Sequence, residues 1–147
     1  MNPKSKIEAN IIQAVPFFGV SNMEASLPYY VDGLGFEMTR KWIDEGKLRW
    51  CWLQRGGAAL MLQEFRREGP DARVPRGIVG EGVSINFMCE DAVAFYHEVT
   101  SRGIQAKKPK VGNRLWVTAL SDPDGYALFF ESPTDAPEET EYSGQES

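Results

Sequence analysis

The stretch GVSINFMCEDAVAFYHEVTSRG, residues 82–103, holds two periodicities in one short span. From Gly82 to Glu90, Val83, Ile85 and Phe87 alternate with Ser84 and Asn86, the mark of a strand with one covered face. From Asp91 to Arg102 the period becomes helical. Ala92, Phe95, Tyr96 and Val99 fall on one face, and Gly103 stops the helix. Three strands are expected beyond it, Ile104–Val111, Arg114–Ser121 and Tyr126–Glu131. Gly112-Asn113 and Asp122-Pro123-Asp124-Gly125 separate them, both strong turn signals.

Working outward toward the N-terminus, the same order of elements is already present once. Ile11–Val20 reads as a strand, with Pro16 tolerable at its start or on an edge. Ser21-Asn22-Met23-Glu24 has the form of a capping box, and Leu27, Tyr30, Val31 and Leu34 make one apolar stripe. Pro28 removes a backbone donor inside that helix and should distort it, and Gly33 and Gly35 end it. Strands follow at Phe36–Asp44, Leu48–Arg55 and Ala58–Phe65, joined by Glu45-Gly46 and Gly56-Gly57. The reading is an α+β chain of two tandem βαβββ modules, residues 11–66 and 81–132. A breaker-rich linker, 67–80, joins them; a flexible N-terminus, 1–10, and a disordered acidic tail, 133–147, flank them.

A chain of 147 residues with 42% hydrophobic content can build one sizeable core. Cys51 and Cys89 lie in apolar runs without CxxC spacing, so buried thiols are expected rather than a disulfide or a zinc site. The polar start Met1-Asn2-Pro3-Lys4-Ser5-Lys6 lacks the form of a signal peptide, and no apolar run is long enough to span a membrane, so a cytoplasmic location is expected. The net charge of −5 comes from Asp135, Glu138, Glu139, Glu141 and Glu146; the rest is balanced at 16 acids and 16 bases. No basic face points to nucleic acid.

Two motifs carry a family resemblance. Val20-Ser21-Asn22-Met23-Glu24-Ala25-Ser26-Leu27-Pro28-Tyr29-Tyr30, running into Leu34-Gly35-Phe36-Glu37, and Ser121-Asp122-Pro123-Asp124-Gly125-Tyr126 resemble the first helix and the last turn of the vicinal-oxygen-chelate superfamily. That superfamily includes glyoxalases, extradiol dioxygenases and bleomycin-resistance proteins. The resemblance implies a curved mixed sheet around a cleft, with helices on the other face. Strand parity then assigns Phe18, Val20, Leu60, Leu62, Ile85, Phe87, Leu128 and Phe130 to the helix side. It assigns Val15, Phe17, Trp50, Trp52, Ala59, Met61, Gln63, Ser84, Asn86, Met88, Phe129 and Glu131 to the cleft.

Members with metal chemistry hold one divalent ion with four His or Glu side chains. Carried over, those positions fall on Val15, Met61, Ser84 and Phe129, which offer no suitable donor set. The resemblance is therefore to the metal-free, bleomycin-resistance-like branch, with no cofactor expected. His97, out of phase with its helix's apolar stripe, reads as a surface residue. Glu131 reads as a polar contact, though a slip in register would make it a ligand or base.

Phe17, Trp50, Trp52, Met61, Phe129 and Trp116 are the expected walls for a planar or aromatic small molecule, oriented by Gln63, Ser84, Asn86 and Glu131. The resemblance implies homodimerisation and sequestration without chemistry. Two other readings stay open: an atypical enzyme using Glu131 or Tyr126, and a structural module acting through dimerisation. Only Glu131, Glu37 and Asp44 offer local acids. Arg66, Arg67, Arg73 and Arg76 read as a solvated loop, with contact to an anionic group or a second subunit as the other reading.

Overall fold

A computed structural model describes residues 9–144; most of the N-terminal arm and residues 145–147 of the tail lie outside the described residues. The first module runs β1 (Phe17–Val20), α1 (Met23–Pro28, continued by a π-helical turn Tyr29–Gly33), β2 (Glu37–Asp44), β3 (Lys47–Arg55) and β4 (Ala58–Glu64). The second runs β5 (Ser84–Met88), α2 (Ala92–Ser101), β6 (Lys110–Gly112), β7 (Leu115–Ser121) and β8 (Ala127–Pro133). This is the expected α+β pair of βαβββ modules. Each builds a four-stranded mixed sheet, ordered β1-β4-β3-β2 and β5-β8-β7-β6, in which the first and last strands pair in parallel.

The two helices differ in ways their sequences explain. Asn22, not Ser21, caps α1, its side-chain oxygen accepting from Glu24 N and Ala25 N. The Ser21 hydroxyl is drawn away to Asp124 of the other module, and Glu64 takes over Met23 N at 2.8 Å. Pro28 cannot donate within the helix, and the next turn widens so that Leu34 N reaches the Tyr29 carbonyl at 2.9 Å. Helix α2 has no such break. Asp91 caps it through Ala94 N at 2.9 Å, and Gly103 leaves it with φ 87°.

Both sheets turn their helix-side faces to one shared core. Phe18, Val20, Leu60 and Leu62 join Phe87, Phe95, Leu128 and Phe130 in a single buried cluster. Phe36 meets Phe87 edge to face, and Phe18 stacks on Tyr126 with ring centroids 3.9 Å apart. Polar contacts stitch the same seam. Tyr30 donates to Asp122 at 2.7 Å, Tyr126 donates to the Gly19 carbonyl at 2.8 Å, and Arg55 grips Glu98 with two bonds. The other face of each sheet therefore looks away from the shared core.

Three expectations are corrected. The first strand begins at Phe17 rather than Ile11; Ile11 and Ile12 are 84% and 92% exposed and have no covered face to pair with. The strand expected over Ile104–Val111 shrinks to Lys110–Gly112, because Pro109 lacks the donor a longer ladder needs. The tail is ordered as far as it is described. Val111 N donates to the Thr140 carbonyl, Tyr142 N donates to the Pro109 carbonyl, and Glu138 accepts from Asn113 N and Arg114 N. That carboxylate supports a turn whose positive φ angles fall on Asn113 and Arg114, one position later than Gly112-Asn113.

Candidate functional site

On the first sheet, cross-strand pairing places the predicted residues on one face. Phe17 is opposite Met61, Trp52 is opposite Met61 on its other side, and Trp50 is opposite Gln63. This face is open. Phe17 is 54% exposed, and Trp42, which pairs with Trp50, is 47% exposed. Val15 precedes the strand and remains half-buried. Arg40 lies 5.0 Å over the Trp52 ring and Arg66 lies 5.9 Å over Trp42.

Sequence reasoning leaves Arg40 out of the site, puts Trp42 only on a strand neighbouring the aromatic wall, and reads Arg66 as a solvated loop with an anionic contact as the other reading. Two bulges in β2, at Met38/Arg40 and Trp42/Ile43, shift its register against β3, so simple alternation could not place Arg40 and Trp42. The signal that was available is the cluster of three tryptophans, Trp42, Trp50 and Trp52, on strands joined by a two-residue turn.

Together with the linker, this face walls a cavity of about 880 Å³. Phe17, Trp42, Gln63 and Phe65 line it together with Arg66, Arg73, Val74 and Pro75. The linker is held close at its far end. Gly80 N donates to the Asp124 carbonyl at 2.8 Å, and a Cβ on Gly80 would come within 2.3 Å of Tyr126 N.

The second sheet carries the remaining candidates. Asn86 is opposite Phe129, and its amide donates to Glu131 at 2.7 Å; Ser84 is opposite Ala127 on the same face. Glu131 is only 9% exposed and has Asn86 as its side-chain partner. The structure does not bring these residues together with the aromatic face, because the shared core lies between the two sheets. Trp116 is on the helix side: it pairs with Val111 and Ser132 and meets Tyr142 edge to face. It is removed from the expected wall. Asn86 also borders a cavity of about 780 Å³ at the module seam, beside Arg55, Cys89 and Phe95.

The titrating groups of the seam serve the fold. Burial pushes the Tyr126 hydroxyl up, Asp122 and Asp124 push it further, and its proton is committed to the Gly19 carbonyl. Burial raises Asp122 against the bonds it accepts from Tyr30, Tyr126 N and Asp124 N. Burial also lifts the thiols, Cys51 to about 11 and Cys89 upward, so neither is an activated nucleophile.

The family's metal position does not fit these residues. Val and Phe have no donor atom, Met61 offers a thioether, and Ser84 a neutral hydroxyl. Among the described residues no three His, Cys, Asp or Glu side chains converge.

Two mixed sheets of βαβββ connectivity, with helices between them and a free face on each, define a class, and the family comparison agrees. The family pattern described as Glyoxalase/Bleomycin resistance protein/Dioxygenase superfamily matches residues 12–138, and the chain belongs to that superfamily. No curated protein sequence matches the chain.

Solved structures with the same fold include TnmS3, an antibiotic binding protein from Streptomyces sp. CB03234. It is 21% identical, with TM-score 0.61, covering 84% of this chain and 98% of that one. TioX from Micromonospora sp. ML1 is 15% identical, with TM-score 0.63 and coverage of 82% and 99%. Virulence protein STM3117 from Salmonella typhimurium is 17% identical, with TM-score 0.58 and coverage of 84% and 99%. At these identities the likeness concerns the fold. No helix among the described residues is long and apolar enough to cross a membrane.

Proposed function

We propose that the protein binds a flat small molecule without transforming it, and that sequestration of an aromatic antibiotic is the concrete form of this role. The observation that carries the reading is the open aromatic face of the first sheet, Phe17, Trp42, Trp50 and Trp52, beside a cavity of about 880 Å³. Exposed ring surface is costly in water unless something covers it, and a stacked aromatic contact adds about 0.5–1.5 kcal/mol beyond burial. One structural neighbour, TnmS3, is an antibiotic binding protein, which supports the same direction. Tyr126 and Glu131, the acid or base candidates, are each engaged within the fold, the first donating to the Gly19 carbonyl and the second accepting from Asn86.

The outward faces also support a homodimer in which a second copy covers part of the exposed apolar surface, including Met88 at 67% exposure. The cytoplasm remains the proposed location. Calorimetric titration with 2-naphthol, a neutral bicyclic probe, tests the binding reading. Saturable binding is expected, weakened about tenfold in Trp42→Ala by loss of stacking and burial, and unchanged in Trp116→Ala on the other face. Equal affinities in the wild type and Trp42→Ala would overturn the assignment of the site.

A further inference from the structure

We propose that the ligand of the first sheet's open face is a planar aromatic anion. It would be a flat ring system carrying a carboxylate, sulfonate or phosphate, stacked on the indoles with its charge toward the linker arginines. The inference rests on the binding reading above and narrows it to a ligand class.

The indoles already carry cations. Arg40 sits 5.0 Å over Trp52, and Arg66 sits 5.9 Å over Trp42. A flat cation must displace a resident guanidinium from the ring that attracts it, or lie beside like charge. A flat anion also has to stack on a guanidinium or slide it aside, but it then meets opposite charge instead of like charge.

The linker brings another cation to this wall. Arg73 N donates to the Arg66 carbonyl at 2.7 Å, and Ala72 N donates to the Gly69 carbonyl at 3.1 Å, so the segment turns back on itself. Arg66 and Arg73 thereby border the cavity together with Phe17 and Trp42. A guanidinium presents a planar fork of donors that matches a carboxylate or phosphate edge.

The acids nearby do not cancel this charge. Glu64 is held by Lys47 at 2.5 Å with Arg49 at 3.7 Å, and Asp44 is matched by Arg66 at 3.3 Å. Asp71, on the linker turn, also lines the cavity. Counted with their bonded partners, the cations Lys47, Arg49, Arg66 and Arg73 outnumber Asp44, Glu64 and Asp71. Glu37 is at the far end of β2, opposite Gln54. Counted this way the surroundings of the cavity carry one net positive charge in a chain of net charge −5, and Arg73 is the lining cation outside these ion pairs.

The test is a calorimetric comparison of three bicyclic probes of similar size, 2-naphthoate, 2-naphthol and 2-naphthylmethylammonium, on the full chain and on Arg73→Gln. Arg73 is exposed on the linker, so its replacement leaves the core untouched. The naphthoate is expected to bind about five- to tenfold more tightly than the naphthol, a preference that high salt reduces and that Arg73→Gln largely removes. Arg73→Gln should weaken naphthoate binding by a larger factor than naphthol binding, so the preference between the two probes is the readout. Equal binding of the naphthoate and naphthol, or tighter binding of the ammonium probe, overturns the anion inference and leaves the aromatic site standing. Failure of all three probes to bind overturns both.

Discussion

The two modules share connectivity and register but differ in what their free faces carry. In both, the helix side is filled by the same kind of residue at matching positions, Leu62 beside Phe18 in one and Leu128 beside Ile85 in the other. The free faces have diverged. The first is aromatic and cationic, whereas the second offers Ser84, Asn86, Phe129 and a Glu131 satisfied by Asn86. What repeats is the part that buries area; what does not repeat is the part a ligand can read.

The sharpest way to break that comparison is to cut the two cores alike. Leu62→Ala and Leu128→Ala, both at fully buried positions, should each cost about 2–5 kcal/mol in urea unfolding, and by similar amounts. A near-neutral result at one of them would mean that the modules do not share one core.

Next in size is the seam. Tyr30→Phe removes a buried 2.7 Å hydrogen bond and leaves Asp122 with only backbone donors, costing about 1–3 kcal/mol. A loss below experimental error would show that the seam is held by ring packing alone.

The smallest effect is a pH dependence. Bonds from Arg55 hold the Glu98 carboxyl below its usual value of 4.5, against an opposing push from burial, and the charges of Arg55 and Arg102 add to the lowering. With the folded value depressed, the contribution is complete above about 4.5 and is lost as pH falls through the folded value. Asp122 moves the other way. Raised by burial, it weakens the fold as pH climbs past the usual aspartate value of 3.8 toward its folded value. Glu98→Gln should therefore flatten the acid limb of a urea-midpoint profile between pH 3 and 6, values that bracket the usual carboxylate range. An unchanged profile would assign that limb to other carboxylates, Glu64 first, since burial lifts it but Lys47, Met23 N and Arg49 bring it lower on balance.

The module order, the helix faces and the parity of β1, β4, β5 and β8 were all legible in the sequence, because alternation with period two survives wherever a strand is regular. The site was legible in part. Phe17, Trp50, Trp52, Met61 and Gln63 do share a face, but Trp116 does not join them: on β7 it alternates with the free-face residue Val117. Trp42 and Arg40 depend on two bulges, and bulges leave no composition signal. The tail defied its composition because Glu138 and Thr140 find backbone partners around β6, and charge content alone cannot announce such bonds. The largest misjudgement concerned space. A pattern that repeats says which face of each sheet is covered, not whether the two uncovered faces look toward each other.

The seam also bears on how the chain reaches its native state. Its bonds join Ser21 to Asp124, Gly19 to Tyr126 and Tyr30 to Asp122, pairs separated by 103, 107 and 92 positions. While the chain is being synthesised, the first module is complete when its half of the core has only its own helix to cover it. The side of that core which meets Phe87, Leu128 and Phe130 stays open until β8 arrives, and contacts so distant in sequence are expected to slow folding. The nascent half-protein is the species most prone to aggregate.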